Sequence, residues 1–217
     1  MSDYKTKVLD GVKYKYSSDW IYELESKEHW SQYHEQAFLI MKYIHPHETI
    51  LEIGKGSGFL SNYLKSKGYT VTTFDIDEEK KPDIVGNIVN HEFNRKFNHI
   101  VGFEVFEHIP YKMFEQALKN LHNSCDGTII LSVPKNEKVW ATISIKTLLF
   151  TCKFRISTRR KKMTAENHFW ALEYKNFTIK RLKESLKKAS FDFVESKQLD
   201  SAYFFVFKKM KIEQSNR

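Results

Sequence analysis

The stretch TILEIGKGSG, residues 49–58, constrains this chain more than any other. An apolar run ends in Gly54, Gly56 and Gly58, and beyond the glycines Phe59, Leu60, Tyr63 and Leu64 recur at helical spacing until Gly68 stops the pattern. A buried strand must therefore pass through a tight loop into a helix. YTVTTFD, residues 69–75, is rich in β-branched and aromatic residues and supplies the next strand, which closes a first βαβ unit.

The alternation then repeats. A weak strand is expected near 83–86, a strong one at 98–103, a helix at 111–123 with Phe114, Leu118 and Leu121 on one face, and a strand at 128–133. A last helix at about 178–189 precedes FDFVESKQL and AYFFVFKKM, two strand-like runs separated by only a couple of residues. Parallel strands need a long crossover, so this final pair must be an antiparallel hairpin. The expected fold is α/β: a Rossmann-like, doubly wound, mostly parallel seven-stranded sheet with one antiparallel strand in the C-terminal hairpin. A chain of 217 residues suits one domain. Within it we expect an N-terminal helical cover at 1–48, a cofactor-binding core at 49–134, a basic lid-like insertion at 135–176, and the last helix and hairpin at 177–210.

Glycines between a strand and a helix let the backbone turn sharply and approach a ligand, a position that suits a nucleoside cofactor. The dinucleotide pattern G-x-G-x-x-G fails because its third glycine position falls on Phe59, and no GK[ST] ends the loop as a P-loop requires. Asp75 ends the second strand, where a carboxylate can accept hydrogen bonds from both ribose hydroxyls; Asp77 is the alternative. The competing reading is an ordinary tight turn followed by a helix-capping aspartate.

ILEIGKGSG, FDID, PDIVGNI, FEVFEHIP and LSVPKN follow one another at suitable spacing. In that order the motifs resemble the class I S-adenosylmethionine-dependent methyltransferases, in the branch that holds small-molecule, quinone-precursor and sugar enzymes. The resemblance covers roughly residues 35–134 and the final hairpin. It implies S-adenosyl-L-methionine as cofactor, with Gly54, Gly56 and Gly58 under its methionine part, Glu52 near its amino group and Asp75 on its ribose. Ile76 and Ile88 would sandwich the adenine, and Asn87 would read the ring edge where such enzymes often carry aspartate. Lys55 replaces the usual small loop residue and is expected to point into solvent.

A sulfonium methyl is already activated, so the protein has chiefly to align the acceptor and exclude water. Glu104, Glu107 and His108 follow the fourth strand at the carboxyl edge of the sheet. His108 is the candidate general base, since histidine titrates closest to neutral pH; otherwise it caps the next helix or fixes the loop. Glu104 is expected to shape the pocket. HFWALEY in the insertion offers His168 and Trp170 as acceptor contacts. His29, Tyr33 and Gln36 lie near helical spacing and either close the cofactor site or pack as an aromatic face on the sheet.

Composition bounds the partners. The net charge is +8, and between Glu137 and Glu166 there is no acidic residue, while Lys138, Lys146, Lys153, Arg155, Arg159, Arg160, Lys161 and Lys162 all fall there. VWATISIKTLLF followed by CKFRISTRRKK suits peripheral contact with an anionic membrane, an apolar acceptor, or a lid with a solvated basic edge. No stretch reaches the roughly 18 apolar residues of a membrane span, and the N-terminus lacks a secretory core. Two cysteines make no disulfide framework and no zinc spacing is present, so a cytoplasmic setting, at most peripheral to a membrane's inner face, and no metal are expected. The D/N-P-P-Y/F loop and Pro-Cys nucleophile of nucleobase methyltransferases are missing, which makes nucleic acid an unlikely acceptor. The leading expectation is methyl transfer to oxygen of a small-molecule, sugar or lipid-linked acceptor. The alternative is a non-catalytic, methyltransferase-like cofactor-binding or scaffold protein. The acceptor and the oligomeric state are not encoded legibly.

Overall fold

The computed structural model describes residues 5–16, 26–147, 151–160, 162–163 and 165–210. Its centre is a seven-stranded sheet built from β3 (Thr49–Ile53), β4 (Thr70–Asp75), β5 (Ile84–Val85), β6 (Phe97–Phe103), β7 (Cys125–Pro134), β10 (Phe191–Gln198) and β11 (Ala202–Lys209). Across the sheet the order is β10-β11-β7-β6-β3-β4-β5. β11 runs antiparallel to both of its neighbours, whereas the pairings β7–β6, β6–β3, β3–β4 and β4–β5 are parallel. The expected fold class is thus the observed one.

Period-two alternation divides the strands between two cores. Ile50, Val71, Val101, Ile130, Phe204 and Val206 face one side, where α1 (Lys27–Tyr43) and α2 (Phe59–Ser66) contribute Leu39, Ile40, Leu60 and Leu64. Leu51, Ile53, Ile100, Ile129 and Leu131 face the other, covered by α3 (Tyr111–Ser124) and α4 (Ile179–Lys188) through Phe114, Leu118, Leu121, Leu182 and Leu186. Reversal of strand order at β3 opens a crevice at the carboxyl edge, the usual ligand position of an open α/β sheet.

The two segments outside this scheme differ in detail from expectation. Among the described residues, the N-terminal segment forms a hairpin, β1 (Lys5–Leu9) and β2 (Val12–Tyr16), before α1 begins, so it is helical only in part. Asp10 and Gly11 both adopt positive φ, 53° and 75°, the geometry that a two-residue Asp-Gly hairpin turn requires. The insertion forms an antiparallel ribbon, β8 (Glu137–Lys146) with β9 (Thr151–Arg159). Trp140, Ile143, Phe154 and Ile156 are each more than half exposed on it. Lys161 and the side chains of Lys153, Arg155 and Arg159 lie outside the described residues.

After the ribbon the chain returns to the end of β7, where the Leu172 N–H donates to Pro134 O at 3.0 Å and the Asn136 N–H donates to Leu172 O at 2.8 Å. Trp170 anchors this return. It is fully buried, packs on Phe114, Tyr111 and Phe177, and donates its indole N–H to Ile109 O at 3.0 Å. Trp170→Ala is expected to cost about 3–5 kcal/mol of unfolding free energy, read as a fall in the urea midpoint at unchanged slope.

Candidate active site

The glycine loop begins where β3 ends. The Gly54 N–H donates to Phe74 O at 2.7 Å, and Gly54 sits at φ 79°. A β-carbon there would stand 2.8 Å from Cγ2 of Val105, so only glycine lets this loop abut the turn after β6. Gly58, left-handed at φ 77°, caps α2.

Two cavities meet at this point. The larger, about 360 Å³, runs from Glu52, Gly54, Gly56 and Asp75 to Glu104, Glu107, His108 and His168. The smaller, about 70 Å³, is an apolar slot between Ile76, Ile88, Phe74 and Tyr14, with Asn87 in its wall. Gly54, Asp75, Ile76, Val105 and His108 line both. Gly58 lines neither, and it acts on the loop through its cap position.

Asp75 is buried at the junction. One carboxylate oxygen accepts the Asp77 N–H at 2.9 Å and the other lies 3.2 Å from Lys80 Nζ. Asp77 instead accepts the Glu79 N–H and caps the turn Glu78–Lys80, away from both cavities. Glu52 is buried in the larger cavity with Oε2 lacking a hydrogen-bond partner, and burial pushes its carboxyl up to about 8.

Asn87 is engaged by the N-terminal hairpin. Its Nδ2 donates to Asp10 Oδ2 at 3.0 Å and lies 3.4 Å from the Tyr14 hydroxyl, while its Oδ1 accepts the Val89 N–H. Asn90 donates to the same Asp10 oxygen at 2.8 Å. The hairpin therefore places Tyr14 in the slot wall and a carboxylate beside Asn87, two residues that the sequence reading passed over. The Asp-Gly turn between KTKVL and VKYKY was the available signal.

Lys55 does not extend freely into solvent: it lines the larger cavity and its ammonium donates to Lys81 O at 2.5 Å. From α1, His29, Tyr33 and Gln36 line the cavity, and Tyr33 packs on Phe59 of α2 at 4.4 Å between ring centroids, so the aromatic contact is with that helix instead of the sheet.

At the far end Glu104 adopts φ 51°, unusual for a residue with a side chain. Its N–H donates to Ser132 Oγ at 3.1 Å, its Oε1 accepts that hydroxyl's hydrogen bond at 2.8 Å, and burial raises its carboxyl to about 7. Glu107 is fully buried, and neither carboxylate oxygen has a hydrogen-bond partner. Burial, reinforced by the Glu104 charge, holds its carboxyl well above the usual range. His108 Nδ1 lies 3.2 Å from Asn167 O, which leaves Nε2 as the nitrogen near Glu107, at 3.8 Å. His168 Nε2 approaches the same Glu107 oxygen at 3.8 Å. The imidazole rings stand edge to face, and burial pushes His108 down to about 4 and His168 to about 3. Trp170, read from sequence as an acceptor contact beside His168, belongs to the core and lines neither cavity. An indole flanked by Phe114, Tyr111 and Phe177 has no surface left for a ligand.

The fold that carries these cavities recurs in known proteins. The family described as Methyltransferase domain matches residues 22–196. No curated protein matches the sequence. An S-adenosylmethionine-dependent methyltransferase from Clostridium acetobutylicum ATCC 824 superposes with a TM-score of 0.57 at 12% identity, covering 88% of this chain and 95% of that one. Magnesium protoporphyrin IX methyltransferase from Synechocystis PCC 6803, solved with bound SAH, gives 0.60 at 15% identity, with 84% of each chain covered. The glycopeptide N-methyltransferase MtfA gives 0.56 at 11%, covering 83% of this chain and 90% of that one. With a family match that spans most of its length, the chain belongs to the methyltransferase domain family and carries the mostly parallel seven-stranded fold of that family.

Proposed function

We propose that the protein transfers a methyl group from S-adenosyl-L-methionine to oxygen of a small-molecule, sugar or lipid-linked acceptor. The observation that carries this reading is the pair of cavities joined at Asp75: a small apolar slot opening into a larger chamber whose lining includes buried carboxylates and imidazoles. When bound, the cofactor supplies an activated methyl group. Asp75 holds the ribose at the junction, Ile76 and Ile88 flank the base in the slot, and Asn87, steadied by Asp10, borders it. Gly54 and Gly56 allow the methionine part to lie on the backbone, and Glu52 receives its ammonium. Glu104, His108 and His168 form the acceptor end. His108 is positioned to take the proton of an acceptor hydroxyl, because its other nitrogen is committed to Asn167.

The β8–β9 ribbon supports peripheral contact with an anionic membrane surface. Trp140, Ile143 and Ile156 are exposed there beside Lys138 and Arg160, the combination that binds the interface of a charged bilayer. Among the described residues no helix is long and apolar enough to cross a membrane.

Cofactor binding measured by calorimetry should weaken tenfold or more in Asp75→Ala, about 1.4 kcal/mol. A folded wild type that binds no cofactor overturns the reading and favours a scaffold role. A linkage experiment isolates Glu52. Its carboxyl is pushed up to about 8, so the folded chain holds this proton more tightly than the unfolded one. Its contribution to stability is therefore full below the ordinary carboxylate pKa and is lost as pH rises toward 8. An ammonium arriving beside Glu52 favours ionisation. Binding at pH 7 should then release about one proton, seen as a dependence of the binding heat on buffer ionisation enthalpy, and Glu52→Gln should abolish that dependence. For the ribbon, vesicles containing phosphatidylserine should retain the protein at low salt and blue-shift the Trp140 fluorescence, and Trp140→Ala with Ile143→Ala should reduce retention several-fold; equal retention of the variant counts against membrane contact.

A further inference from the structure

Glu107, His108 and His168 form a side-chain cluster that methyl transfer as described leaves unexplained. One ligand atom from each lies within 4.8 Å of the others, with Glu107 Oε1 at 3.8 Å from Nε2 of both histidines. Glu107 is fully buried, and neither of its oxygens has a hydrogen-bond partner. A carboxylate in that condition carries a desolvation cost that the protein groups around it do not offset.

The imidazoles are oriented to match. The His108 Nδ1 position beside Asn167 O puts the proton on Nδ1 and the lone pair on Nε2, the nitrogen near Glu107. A backbone carbonyl that fixes one histidine nitrogen while the other faces a cluster is the usual outer support of a metal ligand. The same loop carries His168, and the Phe169 N–H donates to the Glu107 backbone carbonyl at 2.8 Å, so one short segment delivers one ligand, orients His108 and ties down the backbone of Glu107. Glu104 adds negative potential at the cluster. All three residues line the larger cavity, and the partly exposed histidines leave room for further ligands on the cation.

We propose that Glu107, His108 and His168 bind one divalent transition-metal cation at the acceptor end of the cavity. Two imidazoles with a carboxylate suit ions such as Mn²⁺ or Zn²⁺ better than the all-oxygen cations. Tetrahedral bonds of about 2.0–2.2 Å set ligand atoms roughly 3.4 Å apart, so atoms now up to 4.8 Å apart must close by somewhat more than an ångström between them, a movement within the reach of side-chain rotation. The inference rests on the methyltransferase reading of this cavity and changes one role in it: with the cation in place His108 is a ligand instead of the base, and a hydroxyl acceptor held by the cation gives up its proton to water more readily. Zinc spacing is missing from the sequence, hence the expectation of no metal, because His168 joins the Glu107–His108 pair only through folding.

The test uses the full, untagged chain, freed of metal with a chelator and titrated with Mn²⁺ alone and with Zn²⁺ alone by calorimetry. Mn²⁺ binding is followed in parallel by electron paramagnetic resonance. One ion per chain is expected, and Glu107→Gln and His168→Ala should each weaken it at least about tenfold, whereas His47→Ala, on an exposed turn, should not change it. Thermal melting checks that each variant folds, and the partly exposed His168 keeps the test decisive if Glu107→Gln does not. Failure of the wild type to take up either ion, or uptake unchanged by both cluster substitutions, overturns the proposal. Cofactor titration of the same samples separates the two readings: cofactor bound without metal sinks the cation site alone, and metal bound without cofactor sinks the methyltransferase reading while the cluster stands.

Discussion

The meeting of Gly54 with Val105 is the contact on which the rest of the site depends. Two loops leaving adjacent parallel strands touch there with no room for a β-carbon. Their closeness gives the slot and the chamber a common wall and leaves Asp75 at the passage between them. The backbone bond from Gly54 to Phe74 O ties the same loop to β4. Strands β3, β4 and β6 are thus joined at their carboxyl ends as well as along their ladders, and the site takes its rigidity from the sheet.

Against that rigid frame the edge collects acids out of water. Glu52, Glu104 and Glu107 are all pushed upward by burial, and Glu104 also holds a left-handed backbone. Each is a local cost, carried because the two cores on either face of the sheet are continuous and well filled. Partial relief comes from Ser132 for Glu104 and from Ser61 for Glu52, while Glu107 has only two uncharged imidazoles at 3.8 Å and no hydrogen bond.

Legibility in the sequence followed the range of the interactions. Strands and helices with a clear period were readable because side chains on one face of one element carry the signal, and TILEIGKGSG followed by Asp75 was readable because the spacing is local. The hairpin departs from the helical expectation for its segment, although Asp10-Gly11 between alternating residues marks a turn. Trp170 was misassigned because an aromatic beside a histidine has the same composition in a pocket as in a core, and only the positions of Phe114 and Phe177 tell them apart. Lys55 turned back to Lys81 O because a carbonyl lay within reach, a fact of the folded loop. The triad of Glu107, His108 and His168 is tertiary by nature.

The return of the chain after the ribbon ties specificity to foldedness. His168 faces the chamber while Trp170, two residues on, is an anchor of the core, and Phe169 between them is bonded through its N–H to Glu107. The segment that carries His168 is thus held by a backbone bond at Phe169 and by the buried indole of Trp170. On that side the chamber's shape is set when the protein folds, and α1 lines another part of it with His29 and Tyr33. Drift in acceptor preference would have to work through very few positions, since a change one step too far along this segment removes the protein before it retunes it.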